Sequence, residues 1–98
     1  MTMRIRILQL GVGDKGLFMG YGMARERGLL DVSRYHCVWE GDVPDSFTLD
    51  DIFLEFNCKS HEGYKGHSLS VSDIIEVDEG PRLGCPRFYV DSLGFQRV

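Results

Sequence analysis

Several groups of residues in this 98-residue chain have types and spacings that chemistry uses. Gly11-Val12-Gly13-Asp14-Lys15-Gly16 spells G-x-G-x-x-G directly after an apolar run, and Glu40 stands about where the ribose-binding acid of a dinucleotide site would follow. Such a loop would cradle a pyrophosphate at a helix N-terminus. Against this, Gly20 and Gly22 interrupt the helix that would have to follow, and the chain has no third βα unit to complete a crevice. A tight or flexible loop without a cofactor is the expectation. Cys58, His61 and His67 follow one another as C-x2-H-x5-H, and Cys85 could complete a tetrahedral zinc set. That spacing matches no recurrent zinc pattern, so solvated histidines and unligated cysteines are expected.

Nucleophilic catalysis would require Ser or Cys beside His with an orienting carboxylate. His67-Ser68 and His36-Cys37 are chain neighbours, but neighbours on a strand point to opposite faces, and the G-x-S-x-G elbow is absent. The chain is therefore expected not to be an enzyme. Ser68-x-Ser70-x-Ser72-Asp73 is the most unusual pattern: at strand spacing its hydroxyls would line one face and Leu69 and Val71 the other. Serines in this density also satisfy loop backbone, which is the preferred role, with a recognition surface as the alternative.

The elements that would position these groups can be read from periodicity. Arg4 to Leu10 reads as a half-buried strand ended by Gly11, with its basic residues facing water. Gly11 to Gly22 is mostly loop, and Met23 to Arg27 is a short helix stopped by Gly28. Tyr35 to Glu40 is a second strand ended by the Gly41-Asp42 turn signal. Thr48 followed by Asp51 approximates a capping box, and Leu49, Ile52, Phe53 and Phe56 fall at i, i+3, i+4 and i+7, so a helix runs to Asn57, which closes it in a left-handed conformation. Phe47 can staple onto Ile52. Lys59 to Ser68 is a loop; Ile74 to Asp78, Arg87 to Asp91 and Phe95 to Val98 form a closing antiparallel meander.

The composition suits one globular domain over residues 1–98: 43% hydrophobic, 27% charged and a net charge of −4. The charge is uneven. Residues 1–35 carry six basic and three acidic groups, residues 36–80 two and eleven, and residues 81–98 three and one, so a −9 centre lies between two basic ends. That balance argues against a dedicated nucleic-acid binder. No stretch approaches the roughly 20 apolar residues of a membrane helix. Three cysteines and no secretory pattern point to a reducing cytoplasm with free thiols.

Leu54-Glu55-Phe56-Asn57, then Gly66-His67-Ser68-Leu69-Ser70-Val71-Ser72-Asp73-Ile74-Ile75, then Phe88-Tyr89-Val90-Asp91-Ser92-Leu93-Gly94-Phe95 resemble the YodL-like domain family of Firmicutes and their mobile elements. Phe18-Met19-Gly20-Tyr21 and Tyr35, Val38, Trp39 and Gly41 fit the same likeness. The resemblance implies a compact cytoplasmic domain with a regulatory or interaction role and carries over no catalytic residues. Physically, Phe56, Val71, Ile74, Phe88, Val90 and Phe95 are candidate core, and Asp73 and Asp91 stand at strand ends where a carboxylate accepts backbone N–H bonds.

These readings combine into an α+β domain with one main helix packed on a twisted, mostly antiparallel sheet of four or five strands, which further curling would turn into a partly closed barrel. The expected activity is protein interaction through an acidic central surface comprising Asp42, Asp45, Asp50, Glu55, Ser68, Ser70, Ser72 and Asp73. Two rivals remain: counter-defence by mimicry of nucleic-acid charge, and weak nucleic-acid contact through Arg4, Arg6, Arg82, Arg87 and Arg97. Exposure of Trp39 or Tyr89 would favour self-association.

Overall fold

The computed structural model describes residues 1–59 and 61–98. Alternation of Arg4, Ile5, Arg6 and Ile7 makes a strand with one wet and one dry face, β1 (Thr2–Gln9), in which Ile5 and Ile7 are fully buried. The elements that follow are α1 (Tyr21–Glu26), a single 3-10 turn (Val32–Arg34), β2 (His36–Pro44), α2 (Leu49–Cys58), β3 (Ile74–Asp78), β4 (Arg87–Asp91) and β5 (Gly94–Arg97). The strands form one five-stranded antiparallel sheet in the order β2-β1-β3-β4-β5. This is the expected α+β architecture with its closing meander. The sheet is open rather than barrel-like: β2 and β5 are its edges and do not pair.

α2 forms as its local signals require. Thr48 caps it, its hydroxyl accepting from Asp51 N at 3.2 Å while Asp51 Oδ2 accepts from Thr48 N at 2.9 Å. Ile52 and Phe56 are buried in one cluster with Ile5, Ile7, Ile75, Val77 and Val90, and Phe47, Leu49 and Phe53 pack around it. Burying a side chain of that size contributes about 1.5–3 kcal/mol. Asn57 does not close the helix. It lies within α2 and its Nδ2 donates to Leu69 O at 2.9 Å, while the helix stops at Cys58 and Lys59 is extended at φ −127°.

The other face of the sheet is also used, which a one-helix reading misses. In register across the sheet, Leu8, Ile74 and Tyr89 form a row, and Ala24 of α1 with Leu29 covers it, flanked by Met19, Tyr21, Val32 and Tyr35. β3 therefore has apolar residues on both faces, which explains its continuous apolar run. β2 does not end at Gly41-Asp42 but runs to Pro44. Gly41 serves packing rather than turning: the Trp39 ring lies across it, and a Cβ there would stand 2.6 Å from two ring atoms. Trp39 is half-buried and Tyr89 buried, so neither supplies a large exposed aromatic for self-association.

Candidate functional site

The segment Ser68 to Asp73 is not a strand. It is a chain of bends and turns feeding β3, and Ser72 and Asp73 are fully buried, so neither belongs to a surface. The reason is the backbone: Ser72 has φ +85°, which breaks the alternation that S-x-S-x-S would otherwise follow. Ser70 Oγ donates to Ser68 O at 2.7 Å, the local backbone role that serines fill. Ser72 N and O engage Val90 and Tyr35: the amide donates to Val90 O at 3.0 Å, and the Tyr35 hydroxyl donates to Ser72 O at 2.7 Å.

Asp73 is the centre of this arrangement. Its Oδ2 accepts from Ser70 N at 2.8 Å and from Gln9 Nε2 at 3.0 Å, the strand-end role expected of it. Asp91 does likewise, accepting from Tyr21 N and Ser92 N at the entry to α1. Gln9 is 1% exposed and its amide has two hydrogens, which the shortest contacts claim: Asp73 Oδ2 and His67 O at 2.8 Å. The Tyr64 hydroxyl also donates to His67 O, at 2.8 Å. Gly66 makes room for this. A Cβ at that position would overlap Gln9 Oε1 and stand 2.9 Å from Val38 Cγ1.

Two atoms in the cluster have no hydrogen-bond partner: Asp73 Oδ1 and His67 Nε2, which face each other at 3.9 Å. His67 Nδ1 lies 2.8 Å from the Ser68 carbonyl, an acceptor, which assigns Nδ1 as the donor and leaves Nε2 facing the carboxyl. Burial pushes the Asp73 carboxyl up to about 7, against the opposing pull of the Ser70 amide, His67 and Gln9. Burial likewise raises the Tyr35, Tyr64 and Tyr89 hydroxyls.

Phe18 closes the cluster from outside. It is 58% exposed, its ring meets the His67 ring edge-on at a centroid distance of 5.3 Å, and its amide donates to Ser72 Oγ at 2.8 Å. Phe18 (φ +64°) and Ser72 are the non-glycine residues with positive φ among the described residues, and each holds the other. Such conformations cost about 1–3 kcal/mol and persist where surroundings over-determine them.

The surface charges fall into a ladder on the sheet face beside α1. Arg6 meets Glu40 at 3.1 Å and Glu76 at 2.9 Å, Arg87 meets Glu76 at 2.8 Å, and Arg4 meets Glu40 at 3.0 Å and Asp42 at 3.4 Å. The hydrogen bond from Arg4 holds the Glu40 carboxyl below the ordinary range. Of the expected surface, Asp42 is thus spent on Arg4. Asp45 and Asp50 are exposed and make no ion pair among the described residues, Glu55 binds Lys59 and approaches His61 at 3.1 Å out of hydrogen-bond alignment, and Ser68 is exposed. Leu54 stands 60% exposed on α2 and, with Phe47, Asp51, Glu55, Cys58 and Lys59, lines a shallow groove of about 330 Å³.

The motifs that suggested chemistry are not assembled. In the glycine loop, Asp14 Oδ1 accepts from Gly16 N at 2.8 Å and is paired with Arg34, so a carboxylate already occupies the amide a phosphate would need. α1 begins only at Tyr21. No group of three or more His, Cys, Asp or Glu side chains able to hold a metal ion occurs among the described residues, and Cys37, Cys58 and Cys85 are free, exposed thiols. No described helix is long and apolar enough to cross a membrane. Gln9 and Tyr64 escaped the sequence reading; the signal for Gln9 was a lone amide inside the apolar run Ile7 to Leu10.

A five-stranded antiparallel sheet with α2 on one face and α1 on the other, closed at one end by a buried carboxyl cluster, defines a small two-faced α+β domain. Comparison with protein families matches residues 2–98 to the YodL-like domain, so the chain belongs to that family. Comparisons with curated proteins and with solved structures gave no match.

Proposed function

We propose that the chain is a non-enzymatic protein-interaction module of a bacterium or its mobile genetic element, working in the cytoplasm, and that its contact face is the outer side of α2. The observation that carries this reading is Leu54: an aliphatic side chain left 60% exposed between Asp50 and Asp51 on one side and Cys58 on the other, beside the groove that Phe47 borders. Exposed Asp50, a turn before Leu54, Asp51 on the groove wall and exposed Asp45 in the segment leading into α2 give this end of the helix negative charge, which suits a partner offering an apolar anchor and basic neighbours. Charge mimicry of nucleic acid has less support, because Glu40, Asp42 and Glu76 are bound to arginines and Asp73 is buried. Nucleic-acid contact by the basic ends has less still, since Arg4, Arg6 and Arg87 are the arginines that bind them.

The test is capture from host lysate by wild type, by Leu54→Ala and by Asp45→Asn/Asp50→Asn, with thermal melts to show that each variant folds. A specific partner lost about tenfold or more from both variants is the expected result, in line with truncation of one interface anchor. Equal capture of the same proteins by all three would remove α2 from the proposal.

A further inference from the structure

We propose that Asp73 and His67 form a proton-operated latch: one proton in the gap between Asp73 Oδ1 and His67 Nε2 keeps Phe18, near the end of the glycine-rich loop, closed over the cluster, and loss of that proton frees it. Oδ2 already accepts two N–H groups, from Ser70 and Gln9, so it does not carry the acid hydrogen. Nδ1 already donates to the Ser68 carbonyl. Among the described residues, this pair is left with Oδ1 and Nε2 unclaimed, 3.9 Å apart and both buried. A single proton between them satisfies both, whichever atom it is bonded to, after a closure of about an ångström to ordinary hydrogen-bond length. Without it two acceptors face each other in a site closed to water, and one of them has to move.

The groups around Asp73 offer no substitute. Gln9 comes from β1, Tyr64 and His67 from the loop before β3, Tyr35 from the segment before β2, and Tyr89 from β4 with Asp91 beyond it. Burial raises all three tyrosine hydroxyls, and no lysine or arginine pairs with Asp73 among the described residues. Among the described residues, His67 is the basic group that faces it. That the carboxyl is pushed up to about 7 places loss of the proton near neutrality rather than in acid.

What moves is set by the two strained residues. His67 is under the Phe18 ring, and Ser72, next to Asp73, holds the Phe18 amide. Both Phe18 and Ser72 have positive φ, so a shift of Asp73 or His67 that loosens either contact lets two unfavourable conformations relax together. Met19 is then tethered by the Tyr89 hydroxyl, which donates to its carbonyl at 2.6 Å. The loop thus opens at Phe18 and stays hinged at Met19.

The experiment follows amide exchange of Phe18 by NMR from pH 6 to 9, relative to Val77, whose amide donates to Pro86 O at the sheet. In wild type the protection of Phe18 should fall at least tenfold relative to Val77 across the range. In Asp73→Asn the carboxamide keeps an acceptor for Ser70 and Gln9 and supplies a permanent N–H to Nε2, so the protection ratio should stay flat. A flat ratio in wild type overturns the latch, and so does an equal fall in Asp73→Asn. If Asp73→Asn does not fold, the wild-type carboxyl ¹³C shift of Asp73 and the ring ¹⁵N shifts of His67 decide. Their transition has to share its midpoint with the Phe18 change, and separate midpoints overturn the proposal.

Discussion

Gly66→Ala tests whether the Gln9–Asp73 cluster holds the fold together. The backbone of Gly66 is exposed, so the substitution looks harmless from outside. The direction of the missing Cβ is inward, however, onto Gln9 Oε1, with Gln9 Cδ at 3.0 Å and Val38 Cγ1 at 2.9 Å. A flexible surface amide would step aside at little cost, but Gln9 is 1% exposed and its Nε2 is committed to Asp73 Oδ2 and His67 O. Admitting the methyl group means either pressing on Val38, with an overpacking cost of about 1–3 kcal/mol, or expelling the amide, which leaves a buried carboxyl short of a donor at about 1–3 kcal/mol. Some of each gives an expected loss of about 3 kcal/mol, and a fall in Tm of roughly 12–24 °C for a domain of this size. Urea denaturation followed by circular dichroism measures it. Gln9→Ala removes the nearer obstruction and leaves Val38, so Gly66→Ala in that background should cost about 1 kcal/mol, a coupling of about 2 kcal/mol between the sites. A loss below 1 kcal/mol in the wild-type background, or strictly additive losses, would refute the reasoning.

Three further outcomes follow from the same geometry. Because the folded-state value of Asp73 is raised, its contribution to stability is full below the unfolded carboxylate value near 4 and is lost as pH rises through about 7; the stability of wild type relative to Asp73→Asn should therefore decline over that window and level off above it, by an amount bounded on the order of 4 kcal/mol and checked by denaturation at pH 4, 5.5, 7 and 8.5. Thr48→Ala removes the hydroxyl that caps Asp51 N and should cost about 1 kcal/mol by thermal melt, whereas Thr48→Ser should be nearly neutral. Arg4→Ala breaks two ion pairs between half-exposed side chains and should leave the melting temperature almost unchanged, with any difference shrinking further in 1 M salt.

What could be read in the sequence divides along the range of the interactions involved. α2 was legible because its cap, its first-turn acids and its apolar stripe lie within one stretch of residues 48–56. The β3-β4-β5 meander was legible for the same reason, since each connection is short and its turn residues are local. The reach of β2 was not: Gly41-Asp42 looks like a turn until Trp39 is seen lying across the bare Cα of Gly41. Ser68 to Ser72 has the period of a strand, and only Phe18, 54 residues before Ser72, accounts for the backbone it adopts instead. α1 is six residues long with one buried side chain, too little to announce that it covers a second face. Half of the buried cluster was visible in Asp73 as a strand-end acceptor; its partners Gln9 and Tyr64 lie 64 and nine residues away in sequence, beyond any local pattern.

The polarity of the chain, acidic at its centre and basic at its ends, acquires a different meaning in the sheet. The strand order places basic β1 between acidic β2 and β3, and β3 in turn beside Arg87 of β4. Read across the register, Glu40, Arg6, Glu76 and Arg87 alternate in sign along one row, and Asp42, Arg4 and Asp78 along the next. Opposite charges directly across an antiparallel pair favour that pairing, and like charges oppose it, so the segmental charge helps to choose which strands become neighbours. Swapping β1 and β3 in the order would leave β2 and β3 side by side with Glu40 and Asp42 against Glu76 and Asp78. Asp45 and Asp50 are exposed outside the ladder, Asp45 in the segment that leads into α2 and Asp50 in its first turn, four residues before the uncovered Leu54. The partner we propose, if drawn by acidity, would meet that helix rather than the sheet, whose carboxylates the arginines already hold.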